Sequence, residues 1–131
     1  MGKVVLDSSI VIGWADQADA LHHAATEALR ERHDQVKVVP ASVFAEIMIR
    51  ALSFGERTAK RIENMVDELA SDVHPIDREI AYAAAEIRAR RSAIRLPDAF
   101  VLATGRVLDA EVLTAGKTWK SEPGHVTVIK P

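Results

Sequence analysis

The stretch Lys3-Val4-Val5-Leu6-Asp7-Ser8-Ser9-Ile10-Val11-Ile12-Gly13-Trp14 decides the fold. After Lys3, the residues Val4-Val5-Leu6 are β-branched or apolar with no polar alternation, the pattern of a strand buried on both faces. Asp7 ends that strand. Ser8 or Ser9 is expected to cap a helix running to about Trp14. A doubly buried strand feeding directly into a helix is the opening of a parallel α/β unit, because an antiparallel hairpin would need a tight turn at this point.

Reading outward, the rest of the chain repeats this alternation. Residues 20–32 form a second helix, with Leu21, Ala24, Ala25, Ala28 and Leu29 on one face. Residues 36–39 are a second strand ended by Pro40, and Ser42 is placed to cap a helix over 43–52. Phe54-Gly55 breaks the chain before a polar helix over 56–70, whose apolar stripe is Ile62, Met65, Val66 and Leu69. A short strand over 73–76 precedes Asp77, which caps a helix to about Arg91. Pro97 suits the first helical position of a helix to about Leu108. Residues 111–114 and 126–129 are the last strands. Alternating strands and helices predict an α/β, three-layer fold with a parallel sheet flanked by helices, in a single domain spanning 1–131.

Composition removes several classes of function. With 48% hydrophobic and 27% charged residues the chain is a folded domain rather than a disordered tail. The formal charge of −2 gives no global attraction to nucleic acid, so any such contact must be a local basic patch. The chain has no cysteine, which excludes disulfides, zinc–thiolate sites and thiol catalysis, and is compatible with a cytoplasmic location. The apolar run before Asp7 is too short for a signal peptide, and Leu6 stands where a myristoylation signal needs Ser or Thr. No segment reaches the roughly 18 apolar residues of a membrane span.

Three acids interrupt apolar stretches: Asp7 after Val4-Val5-Leu6, Glu46 within Val43-Phe44-Ala45-Glu46-Ile47-Met48-Ile49, and Asp98 before Ala99-Phe100-Val101-Leu102-Ala103. A carboxylate is costly to bury unless it is paired, hydrogen-bonded or bound to a metal. Each has a local explanation: Asp7 as a helix cap, Glu46 as the partner of Arg50 four residues on, and Asp98 as a first-turn acid favoured by the helix dipole. Yet all three fall at strand C-termini or helix N-termini, the rim where open α/β sheets bind ligands. Converging there, they would repel unless a cation lay between them, and oxygen donors suit Mg²⁺ or Mn²⁺.

Four segments in order resemble a PIN domain, and among such domains the VapC toxins of bacterial toxin–antitoxin pairs: Val5-Leu6-Asp7-Ser8-Ser9, Pro40-Ala41-Ser42-Val43-Phe44-Ala45-Glu46-Ile47, Leu96-Pro97-Asp98-Ala99-Phe100-Val101-Leu102-Ala103-Thr104, and Val112-Leu113-Thr114-Ala115. The resemblance spans about residues 3–129. It implies a five-stranded parallel sheet and a Mg²⁺- or Mn²⁺-dependent endoribonuclease in which Asp7, Glu46 and Asp98 are the catalytic and metal-binding carboxylates. It also implies support of the first acid by Ser9, with Thr114 as a further supporting residue, and a homodimer inhibited by a VapB-like antitoxin that covers the acidic groove. The family commonly carries a fourth acid where this chain has Gly116, so a degenerate PIN module that binds RNA or a protein with weak or no cleavage is the alternative.

Other features are read more plainly. Arg88, Arg90, Arg91 and Arg95 place four arginines in eight residues, either complementing a helix end or contacting RNA phosphates or the antitoxin, and Lys117 and Lys120 would extend that rim. Trp14 and Trp119 are expected in the core, and His22-His23 on a solvated helix edge. A receiver-type signalling domain is a further α/β candidate on the strength of Thr114 and Lys117. It needs adjacent acids after the first strand, where Asp7 is followed by Ser8, and it leaves Glu46 without a role.

Overall fold

The computed structural model describes residues 2–116, 119 and 124–131. Five strands, β1 (Lys3–Leu6), β2 (Val36–Pro40), β3 (Asp72–His74), β4 (Glu111–Thr114) and β5 (Val126–Val128), form one sheet in the order β3-β2-β1-β4-β5. Every pairing is parallel. The helices are α1 (Ser8–Ala15), α2 (His22–Glu31), α3 (Ala41–Leu52), α4 (Glu56–Leu69), α5 (Arg78–Arg90) and α6 (Leu96–Leu108). This is the expected α/β architecture with five parallel strands.

β1 is central because it is the strand with no polar face: Val4, Val5 and Leu6 are completely buried. The chain moves from β1 through β2 to β3 on one side, then returns to place β4 and β5 on the other. The order therefore reverses between β1 and β4, and the crevice outside the carboxyl ends of those two strands is where such sheets bind ligands. A receiver domain would be ordered 2-1-3-4-5, so this topology removes that candidate.

The expected apolar stripes are used apart from Met65, which is half-buried but not part of the core. Leu21, Ala25, Ala28 and Leu29 are buried on α2 with Ala24 packed beside them, and Val66 with Ile62 and Leu69 anchors α4. Asp77 caps α5 by accepting from Ile80 N at 2.9 Å. Close packing shows at Gly105, where an added Cβ would stand 2.4 Å from Val112 Cγ2, so α6 can lie against β4 only with glycine there.

Some local expectations are corrected. Asp7 itself, not Ser8 or Ser9, is the N-cap of α1. α3 begins two residues earlier than a Ser42 cap would allow: Pro40 is its N-cap residue, Ser42 lies inside the helix, and the Ser42 Oγ is buried with no hydrogen-bond partner. Pro40 has the extended ψ of 147° and its fixed φ leads straight into the helix, so no side-chain cap is needed to start it. β3 is Asp72–His74 rather than 73–76, set by its register with Val38, Val39 and Pro40. Pro97 occupies the second helical position of α6, after Leu96.

Candidate active site

Asp7 leaves β1 at the strand-order reversal and is only 8% exposed. Its extended backbone (φ −74°, ψ 159°) turns the chain into α1, and its backbone N–H donates to Leu113 O at 3.0 Å, stitching β1 to β4. Its Oδ1 accepts from Ser8 N at 2.8 Å. Its Oδ2 accepts from two hydroxyls, Ser9 Oγ at 3.1 Å and Thr114 Oγ1 at 2.8 Å.

Those hydroxyls are themselves oriented. Ser9 Oγ accepts from Ala115 N at 3.1 Å, and Thr114 Oγ1 accepts from Gly116 N at 2.9 Å. Each hydroxyl that accepts from an amide has its own proton available for Asp7, so two backbone amides are relayed to one carboxylate oxygen. The segment after β4 can approach this closely because residues 115 and 116 are Ala and Gly. Sequence reading named Ser9 and Thr114 but missed the amides of Ala115 and Gly116; the signal was that pair of small residues directly after a strand. Thr114→Val keeps the volume but strands Gly116 N–H and removes one donor from Asp7. The expected cost is about 1–3 kcal/mol in denaturant unfolding, with the Asp7 carboxyl titrating still higher by NMR. Full wild-type stability would mean that the relay contributes nothing.

The three acids share one electrostatic environment. Burial pushes the Asp7 carboxyl above its ordinary 3.8; its three hydrogen bonds oppose this, and the charge of Asp98 adds to it. Glu46, half-buried on α3, is pushed above 4.5 by burial first and then by the charges of Asp7 and Asp98, with Arg95 pulling the other way. Glu46 does not pair with Arg50 among the described residues; Arg50 reaches Asp16 at 3.8 Å instead. Asp98, in the first turn of α6, accepts from Arg95 Nε at 3.4 Å. Among the described residues no three acidic or histidine side chains are gathered closely enough to hold a metal ion as they stand.

The basic segment has divided roles. Arg88 Nη1 donates to Ser92 O at 2.8 Å and Ile94 O at 2.7 Å, closing the turn between α5 and α6, so this arginine builds the approach to Asp98 rather than facing outward alone. Arg90 and Arg91 each have a partner as well. Arg95 is 74% exposed at the rim of the acids. Lys117 and Lys120 lie outside the described residues. Trp119 is buried in the core and Trp14 packs against it, as expected. His22 departs from a fully solvated pair: its Nδ1 is 2.9 Å from Gly13 O, while His23 is exposed.

No curated protein sequence matches the chain. Solved structures do match it in shape. A chain of a toxin–antitoxin complex from Klebsiella pneumoniae superposes with a TM-score of 0.76 at 23% identity, over 95% of this chain and 96% of that one. VapBC2 from Rickettsia felis, bound to a DNA fragment from its promoter, gives 0.77 at 12% identity, over 98% and 99%. VapC20 of Mycobacterium tuberculosis, described as a Sarcin-Ricin loop cleaving toxin, gives 0.68 at 19% identity, over 86% and 88%. At these identities the likeness is one of fold. The sequence itself matches the PIN domain family model over residues 4–121, which takes in β1, all three acids and β4. The chain therefore belongs to the PIN domain family.

Proposed function

We propose that the protein is a divalent-metal-dependent endoribonuclease, the toxin of a VapBC-type toxin–antitoxin pair. The observation that carries the reading is Asp7: a buried carboxylate at the strand-order reversal, held by three hydrogen bonds and coupled in charge to Glu46 and Asp98. The fold likeness to toxin–antitoxin structures, one of them described as cleaving the Sarcin-Ricin loop, supports it.

In this reading Asp7, Glu46 and Asp98 hold Mg²⁺ or Mn²⁺. The donor set suits a hard cation in its chemistry, since it is all oxygen and negative charge from its members raises the proton affinity of Asp7 and Glu46. Such a cation lowers the pKa of a water and draws charge from a phosphate oxygen. Ser9 and Thr114 keep the Asp7 carboxylate in one rotamer by filling both lone pairs of Oδ2, and Oδ1, which accepts only from Ser8 N, retains a lone pair for a cation. RNA is the substrate and a VapB-like antitoxin is the partner. The chain acts as a single-domain homodimer in the cytoplasm. No helix among the described residues is long and apolar enough to cross a membrane. The test is RNA cleavage with Mg²⁺ or Mn²⁺, with chelator and Asp7→Asn as controls. Cleavage that survives chelation or the mutation overturns the reading.

Gly116 favours a second reading, a PIN module with weak or no cleavage. An added Cβ at Gly116 would stand 3.2 Å from Thr114 Oγ1 and 3.3 Å from Trp119 Nε1, beside the relay to Asp7. Gly116 is not among the positive-φ glycines, so a side chain meets tight packing there but no backbone strain. Gly116→Asp is expected to fold, to tighten Mn²⁺ binding and to raise the cleavage rate. A folded variant with unchanged affinity and rate would show that position 116 does not serve the site.

A further inference from the structure

The acids face a cation already built into the chain. Arg95 is the N-cap residue of α6, three residues before Asp98, and its extended backbone (φ −70°, ψ 155°) sends its side chain back over the first turn. Its Nε donates to Asp98 Oδ2 at 3.4 Å, a long contact made by a side chain that is 74% exposed. Its charge also reaches Glu46, on the opposite helix. Arg95 thus contacts one of the three carboxylates directly and lends its positive charge to a second.

We infer that Arg95 is a displaceable internal counter-ion: it holds Asp98 while the metal site is empty, and leaves it to contact the RNA phosphate backbone when the metal loads. This rests on the metal-dependent nuclease reading above and adds a regulation of the same site. A guanidinium suits both states, because it pairs with a carboxylate and with a phosphate through the same donors. An exposed ion pair of this length contributes little to stability, so it can be exchanged without disturbing the fold. The arrangement screens the repulsion among the acids in the unloaded protein. It also sets a threshold for loading, since the incoming cation must compete with a resident positive charge.

Removing Arg95 should move two affinities in opposite directions. Arg95→Met is expected to bind Mn²⁺ about three- to tenfold tighter, measured by the electron-spin signal of free Mn²⁺, because a like charge near the site is gone. The same variant should have a higher KM for single-stranded RNA and a salt slope smaller by about 0.7, the loss of one phosphate contact. Arg95→Lys keeps the charge and should retain wild-type Mn²⁺ affinity. Arg106→Met is the control for net charge, since Arg106 lies in the last turn of the same helix. Melting curves should confirm that all variants fold. If wild type binds Mn²⁺ and cleaves RNA, but Arg95→Met matches it or Arg106→Met in Mn²⁺ affinity, the counter-ion inference falls and the nuclease reading stands. A KM that falls together with the Mn²⁺ dissociation constant also overturns it, because no phosphate contact would have been lost. If neither wild type nor Arg95→Met binds Mn²⁺, the nuclease reading falls and takes this inference with it.

Discussion

Asp7→Asn should abolish metal-dependent RNA cleavage while leaving the domain folded. The expected loss in kcat is more than about a hundredfold, since residues that only orient a metal ligand are already worth about 10–100-fold. Asparagine keeps the volume and can still cap α1 through an oxygen toward Ser8 N, but it cannot offer a second acceptor to both Ser9 and Thr114. Against those weakened bonds stands the removal of a buried charge, and burial is the largest influence on the Asp7 carboxyl. The pH dependence separates the two effects. An acid whose folded pKa is raised favours the fold in its protonated form, so its penalty is absent below the unfolded value of 3.8 and builds as pH rises through the raised value. In metal-free buffer the Tm of Asp7→Asn relative to wild type should therefore climb from acid to neutral pH. Glu46 is raised partly by the charge of Asp7, so losing that charge relaxes Glu46 as well and adds to the climb in the same direction. A difference that does not change with pH would mean that Asp7 is not a strained carboxylate, and wild-type cleavage by the mutant would remove it from catalysis. Glu46→Gln and Asp98→Asn should lose cleavage in the same assay.

What the sequence made legible follows a physical division. Hydrophobic period reports burial, so β1, β4 and the faces of α2 and α4 could be read directly, and the run Val4-Val5-Leu6 marked the central strand. The acids could be found because a charge inside an apolar run needs a reason. The helix starts were less legible. Ser8, Ser9 and Ser42 all look like caps, yet Asp7 and Pro40 hold those positions, and the choice depends on where strand hydrogen bonding stops. The strand register that shifted β3 to Asp72–His74 is likewise a property of the partner strand. The amide relay through Ser9 and Thr114 was only hinted at, by the small pair Ala115-Gly116, because every residue has an amide and only tertiary approach singles out those two. Glu46 and Arg50 stand at the favoured ion-pair spacing, but the pair is worth only about 0.2–0.5 kcal/mol, and Asp16 takes the arginine instead. Arg88 belongs to the same class, since two carbonyls of the following turn claim it.

Arg32→Met should be the most destabilising charge change far from the acids. Arg32 ends α2 and binds Glu111, the first residue of β4, through two parallel bonds: Nε to Oε1 at 2.7 Å and Nη2 to Oε2 at 2.8 Å. Its Nη1 donates to Ala28 O, and Thr127 Oγ1 on β5 donates to Glu111 Oε2 at 2.6 Å. His125 Nε2 stands 3.7 Å from the same oxygen. One carboxylate thus ties α2, β4 and β5 together at the end of the sheet opposite the acids. The two side chains are 15% and 10% exposed, between the exposed pairs worth about 0–1 kcal/mol and the buried ones whose breaking costs about 3–5. An intermediate loss of about 2–3 kcal/mol is expected, or roughly 5–15 °C in Tm for a chain of this size. Here the pH sign is the reverse of Asp7. Arg32 holds the Glu111 carboxyl below its ordinary 4.5, so its stabilisation is full above 4.5 and is lost as pH falls through the lowered value. The gap between wild type and Arg32→Met should be full at neutral pH and close in acid. Glu111→Leu in the Arg32→Met background should recover much of the loss, because the stranded carboxylate is then gone. A gap that persists unchanged to pH 3, or a double mutant no better than the single, would mean that Arg32 stabilises through its packed methylenes rather than its charge.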